Sequence, residues 1–133
     1  MNKEKLGESE ITIPIERSIQ ANLLLLLGQR PSHGYELIQR LNEADFRSGE
    51  ADAATVYRNL RRMDKDGLIN SHWEVGESGP GRRLYKLTTQ GEESLKLWAN
   101  YIAHQKARLE NYLHAYLQFE KSLSEMEDEV DLT

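Results

Sequence analysis

The chain has 133 residues, which suits one ordinary domain with an added helix but not a second core. Its apolar fraction of 38% and charged fraction of 29% suit a soluble chain rich in exposed helix, and its lack of cysteine excludes a disulfide framework, a zinc–thiolate site and thiol chemistry. The net charge of −5 is local: beyond residue 119 six acidic side chains stand against Lys121 alone, so the remainder is formally neutral. The longest apolar run, Leu23 to Leu27, falls short of the roughly 20 residues a membrane span needs. The opening stretch MNKEKLGESE has no signal-like apolar segment. A cytoplasmic chain without membrane attachment is the expectation.

Residues 1–13 are polar and aperiodic and read as a flexible arm. Pro14 suits a first helical turn, and Ile15, Ile19, Leu23 and Leu26 recur at helical spacing up to Gly28, an expected stop. Pro31 and Ser32 open a second helix, with Ser32 as its expected N-cap and Tyr35, Leu37, Ile38 and Leu41 as its apolar residues. After a turn-rich stretch, Asp52 caps a third helix whose buried side is Val56, Leu60 and Met63 and whose exit is Asp66-Gly67. From Leu68 to Val75 the residues alternate as in a strand with one buried face, and Leu84, Tyr85 and Leu87 continue as a second strand. The loop between them holds Gly76, Gly79 and Gly81 with Pro80. Three helices followed by a glycine-rich hairpin are the layout of a winged helix, here residues 14–88.

Thr89-Gln90-Gly91-Glu92 reads as a capping box that starts a long helix over 89–119. Leu95, Trp98, Ile102, Gln105, Leu109, Tyr112, Tyr116 and Phe119 then alternate steps of three and four, a coiled-coil-like seam interrupted by Gln105. A small winged helix cannot cover so long an apolar stripe, so a second copy of the chain is the expected partner. Residues 120–133 read as an acidic tail, solvated and disordered. The fold class is therefore mainly α with a small β-hairpin, a winged helix-turn-helix plus a long C-terminal dimerisation helix.

The chemistry concentrates on the third helix. At about 100° per residue, with Val56, Leu60 and Met63 inward, Ala54, Arg58, Arg61 and Lys65 lie on the opposite face, flanked by Thr55, Tyr57 and Arg62. Small residues first and cations later suit a helix whose N-terminal end approaches base edges while its later turns pass phosphates. Ala54 and Thr55 can meet a thymine methyl, and Arg58 can form a bidentate pair with guanine. In an isolated helix the same face is a solvated basic surface; the order of elements around it favours recognition. In the hairpin, Arg82 and Arg83 follow Gly81, with Lys86 further along, a pattern suited to phosphate or minor-groove contact as well as to plain solubility. Alternation groups Arg82, Leu84 and Lys86 on one face and Arg83 with Tyr85 on the other, with Leu84 expected inward.

His33, His72, His104 and His114 lack carboxylate or cysteine neighbours at ligand spacing, so neither a metal site nor a cofactor is expected. Nucleophile elbows, phosphate-binding loops and paired catalytic acids are likewise missing from the sequence, and an enzyme is not expected. Trp98 reads as a core or seam aromatic, or as a flat wall for a planar aromatic effector between subunits.

Three stretches carry a family resemblance: LLLLLGQRPSHGYELIQRL at 23–41, TVYRNLRRMDKDGLI at 55–69 and SGPGRRLYKLTTQGEESL at 78–95. Together they resemble the PadR family of transcriptional regulators over about residues 15–118, in its short class with one long C-terminal helix. The resemblance implies a homodimer on a palindromic operator in double-stranded DNA, repressing until a small effector releases it. The tryptophan-bearing helix resembles that of members which bind flat aromatic drugs at the dimer interface. The competing reading is a winged-helix protein-interaction module without sequence-specific DNA binding.

Overall fold

The computed structural model describes residues 18–46, 49–76 and 79–132. The N-terminal arm, the expected helix start at Pro14, and parts of both turn-rich loops lie outside the described residues. Helix α1 spans Ile19–Gln29, strand β1 Ser32–His33, helix α2 Gly34–Glu43 and helix α3 Ala53–Lys65. Strands β2, Ile69–Glu74, and β3, Arg82–Leu87, follow, and helix α4 runs over Thr89–Leu132. The chain divides after Trp98 into two compact units.

In the first unit the leucines of α1, which are Leu23, Leu24, Leu26 and Leu27, form the centre of the core. Leu37 and Leu41 of α2, Val56, Leu60 and Met63 of α3, and Ile69 and Tyr85 of the sheet close around them. The driving force is apolar burial, worth about 1.5–3 kcal/mol for each such side chain. Gly28 does not end α1, which continues to Gln29. Its role is space: a Cβ there would lie 2.9 Å from Leu95 Cδ2.

The hairpin is part of a three-stranded antiparallel sheet of order β1-β3-β2, because Ser32 and His33 pair with Tyr85 and Leu84. A two-residue strand has no alternation to detect, so this element is invisible in the pattern. It also displaces the expected N-cap. Ser32 is fully buried in β1, and its hydroxyl accepts from Arg40 Nη1 at 2.7 Å. His33 caps α2 instead, its backbone N–H donating to Glu36 Oε1 at 2.9 Å. The Arg40 fork also donates to the Leu26 carbonyl at 3.0 Å and to Gln29 Oε1 at 2.9 Å, joining α2 to the end of α1. Asn42 spans to the segment before α3, accepting from the Ala51 N–H at 2.9 Å.

The inward residue of β3 is Tyr85, buried to 7% exposure, whereas Leu84 is half-buried on the other face. The pairing of β1 on β3 turns the Tyr85 side toward the helices. The cap of α4 likewise sits one residue earlier than expected. Thr88 Oγ1 accepts from the Gly91 N–H at 3.0 Å and donates to the Gly67 carbonyl at 2.6 Å. Thr88 therefore both starts the helix and fastens it to the exit of α3, a tertiary reason for the choice between two adjacent threonines.

Helix α4 does not end at Phe119, and the expected disordered tail is helical as far as Leu132. Residues 92–132 contain neither glycine nor proline and are rich in Glu and Leu, with four Ala, all of which favour helix. Leu123 and Met126 carry the three-four spacing onward. High acidity hid a periodicity that continues without a break.

Candidate nucleic-acid interface

The orientation of α3 is fixed by its buried stripe, since Val56, Leu60 and Met63 have no solvent exposure. Its N-terminus is closed by Asp52, whose Oδ1 accepts from the Thr55 N–H at 2.7 Å. Hydrogen bonds from Thr55, hydroxyl first and backbone second, hold the Asp52 carboxyl below its ordinary pKa. Ala54, Arg58, Arg61, Arg62 and Lys65 are all exposed, while Thr55 and Tyr57 are half-buried. Arg58 Nη2 lies 3.4 Å from Thr55 Oγ1, one turn apart on the same face. Asp52 thus sets the start, the apolar stripe sets the rotation, and the cations are presented outward as a consequence.

In the hairpin, Glu74 stands opposite Arg82 and Trp73 opposite Arg83. Both arginines are exposed, yet neither dangles. The Arg83 guanidinium lies 5.0 Å from the centre of the Trp73 ring and donates to Ser71 Oγ at 2.9 Å. Ser71 in turn donates to Asp64 of α3 at 3.0 Å, which links the wing to that helix. The Arg82 guanidinium lies 5.5 Å from the Tyr35 ring centre and donates to Tyr35 Oη at 2.6 Å. Aromatic faces attract cations, and they orient a long side chain that would otherwise sweep freely. Lys86 is exposed on the same face as Arg82.

Tyr35, one of the apolar residues of the second helix, is 50% exposed and stands outside the core. Its ring stacks on His33 with centres 6.0 Å apart. Sequence reasoning missed Tyr35, His33 and Glu74 as members of this surface, and the available signal was an aromatic placed just after a helix cap. Tyr35 and His33, with Tyr57, Trp73, Arg82 and Arg83, line an open hollow of about 320 Å³ between the start of α2, helix α3 and the wing. Tyr57 fits there only because Gly34 opposite it has no side chain. Among the described residues, both ion pairs belong to His33, with Glu36 and Glu74, and none involves a cation of α3 or the wing.

The expected seam falls into two parts. Leu95 and Trp98 are half-buried and pack against the core of their own unit. In the second unit Ile102, Leu109, Tyr112, Tyr116 and Phe119 are exposed, as are Leu123 and Met126 beyond them. A second hollow, of about 330 Å³, lies among Leu27, Pro31, Leu87 and Leu95 with Arg30 and Lys86 at its sides. Trp98 lines neither hollow. Among the described residues no group of three His, Asp or Glu side chains could hold a metal ion, and no helix is long and apolar enough to cross a membrane.

Three packed helices, a small antiparallel sheet whose β2–β3 hairpin presents arginines beside the third helix, and a long helix after it make this a winged helix-turn-helix protein. Residues 23–97, more than half of the chain, match the model of the transcriptional regulator PadR-like family, and the chain belongs to that family. Its structure is similar to that of a PadR family transcription regulator from Clostridium difficile, with a TM-score of 0.64 at 27% identity, covering 71% of this chain and 97% of that one. A PadR-like transcriptional regulator from Bacillus cereus gives a TM-score of 0.64 at 26% identity, with coverage of 74% and 94%. Bacillus subtilis PadR, crystallised with operator DNA, is similar in fold, with a TM-score of 0.57 at 22% identity over 65% of this chain and 48% of that one.

Proposed function

We propose that this regulator binds double-stranded DNA as a homodimer, represses transcription from a palindromic operator and is released by a small effector. The observation that carries the reading is the outward row Arg58, Arg61 and Lys65 on α3, with Arg62 beside it and the aromatic-seated Arg82 and Arg83 of the wing on hand. A helix with small residues at its start and cations along its open side fits a major groove, and a hairpin with oriented arginines fits the backbone next to it. Ala54 and Thr55 take the position nearest the bases, Arg58 reads a guanine, and Arg61, Arg62, Lys65 and Arg83 meet phosphate. Tyr57 contributes the edge of its ring from the wall of the hollow. A related PadR crystallised with operator DNA supports the choice of ligand.

Dimerisation is supported by the exposed row Ile102, Leu109, Tyr112, Tyr116 and Phe119, since contiguous exposed apolar surface of this kind marks an interaction site. Leu95 and Trp98 would lie at the edge of that interface, and a planar aromatic effector would act there by changing the spacing of the two recognition helices. An effector shifts binding only by as much as its own affinity differs between the two spacings.

The test is fluorescence anisotropy with labelled duplexes over a series of salt concentrations. Arg58→Ala should blur sequence preference and lose about 1–3 kcal/mol on the preferred site. Arg82→Ala should weaken all duplexes alike and reduce the salt slope by about one unit. If both variants match wild type, this surface is not the DNA face. Absence of any duplex binding would favour the protein-interaction module.

A further inference from the structure

His33 ends β1 and caps α2, and carboxylates grip its ring on both sides. Nδ1 lies 2.8 Å from Glu36 Oε1, and Nε2 lies 2.6 Å from Glu74 Oε1. A neutral imidazole carries a single N–H and can donate to only one of them, whereas the doubly protonated ring donates to both. Of the forms of the ring, the imidazolium is the one that can donate along both short contacts. Glu36 has a second donor in the His33 backbone N–H, and that hydrogen bond, followed by the one from the ring, holds its carboxyl below the ordinary carboxylate range. When the ring gives up a proton, Glu36 keeps the backbone N–H as a donor, and Glu74, held through the ring, is the one released.

The release has a destination. Glu74 is the last residue of β2 and stands directly opposite Arg82 in the hairpin register. Opposite charges at facing positions of two strands attract one another. Arg82 is instead seated on Tyr35, whose ring stacks on His33. His33 thus occupies the carboxylate that would capture Arg82 and supports the aromatic ring on which Arg82 rests.

We infer that His33 is a positioning residue for the wing: as a cation it holds Glu74 and leaves Arg82 available to a nucleic-acid phosphate, and on losing its proton it frees Glu74 to pair with Arg82. This rests on the reading of the wing as a DNA contact. The groups facing the ring are Glu36 and Tyr35 from α2, Glu74 from β2, Arg82 from β3, and the Tyr57 phenol of α3 across the hollow. Arg30, before β1, and Arg40, on α2, act on Glu36 from further away. The sign follows from linkage: the bridged form binds DNA better, so binding favours the protonated ring and affinity falls with rising pH as that proton is lost.

The experiment uses the full chain and a fluorescein-labelled duplex of arbitrary sequence, at fixed ionic strength, between pH about 5.5 and about 8.5. Wild type should lose roughly three- to ten-fold more affinity over that range than His33→Gln. Glu74→Gln should show the same flattened profile while binding at the alkaline end at least as tightly as wild type. A merely structural Glu74 would weaken binding at every pH and leave the slope unchanged. His72, His104 and His114 supply a background common to all three proteins. Independently of DNA, side-chain nitrogen NMR of the free protein should show both His33 nitrogens protonated at the acid end. Equal slopes in the three proteins, or a neutral His33 ring at the acid end, overturns the inference. If no duplex binds at all, the reading of the wing fails by itself, and the NMR result still decides whether the bridge exists.

Discussion

Replacing Gly34 by alanine probes the contact that orders the start of α2 against α3. Gly34 is buried, and its backbone lies outside the left-handed region, so the chain itself accepts alanine. The obstacle is Tyr57: an added Cβ would lie 2.7 Å from its Oη and 2.9 Å from its Cζ, and would meet Cε1 as well. Helix preference offers a gain of up to about 1 kcal/mol, less at a first turn than in an interior. Overpacking opposes it with about 1–3 kcal/mol. The ring can rotate outward, which keeps the net destabilisation at about 1–2 kcal/mol. Tyr57→Ala alone removes a half-buried ring and should cost about 2 kcal/mol, below the 3–5 typical of a fully buried aromatic. In the double variant the methyl enters space the ring has left, so the Gly34 penalty should vanish and the coupling should reach about 1–2 kcal/mol. Urea unfolding followed by far-ultraviolet circular dichroism reads all four corners of the cycle, provided the denaturant slopes agree. Additive single effects would mean that Gly34 and Tyr57 do not share this space.

Gly91→Ala should be more damaging, by about 2–4 kcal/mol in urea unfolding, because its Cβ would press on the Leu68 carbonyl oxygen, and backbone yields less than a ring; an unshifted midpoint would place the start of α4 elsewhere. Ile102→Asp combined with Leu109→Asp should give a folded monomer in light scattering, and a folded dimer would locate the interface outside this seam. Glu36, with its carboxyl held low by His33, contributes stability that is present above about pH 4.3 and lost as pH falls through its lowered value. Glu36→Gln should therefore show a shallower acid limb in a pH series of unfolding midpoints, and an identical limb would dismiss the contribution. Planar aromatic compounds should quench Trp98 emission in a Trp73→Phe background and weaken operator binding together; a panel that does neither argues for a seam without room for a guest.

The parts of this molecule that could be read from sequence are those fixed by local chemistry. Val56, Leu60 and Met63 within α3, with Asp52 and Gly67 just outside its ends, define that helix, and its outward cations follow by rotation alone. The misplaced details were decided by distant partners. Ser32 looks like a cap until Arg40, eight residues on, claims its hydroxyl. Thr88 and Thr89 are equivalent in sequence, and the Gly67 carbonyl selects the first. Tyr35 has helical spacing with the core, yet it faces outward to receive Arg82, which is 47 residues away. The bridge of His33 between Glu36 and Glu74 was illegible for the same reason, because one of its members lies 41 residues away in β2. Beyond Phe119 the reason is different, since the acidity of that stretch suggests a solvated tail while Leu123 and Met126 continue the helical period.

The family match ends at residue 97, before the apolar row that runs from Ile102 to Met126. The winged helix and the proposed self-recognition surface are thus separable in sequence, and the second can diverge while the first is retained. Tyr112, Tyr116 and Phe119 place three rings at successive layers, and Tyr116 and Phe119 already tilt against each other at 6.4 Å. A second copy of this helix would offer the same rings and planar gaps in return. The aliphatic heptads of another regulator would leave voids against them, and discrimination between partners arises from such mismatches as much as from favourable contacts. In a cell holding several regulators with the same winged helix, that row of aromatics would keep subunits of different regulators from mixing, and each operator would answer to its own signal.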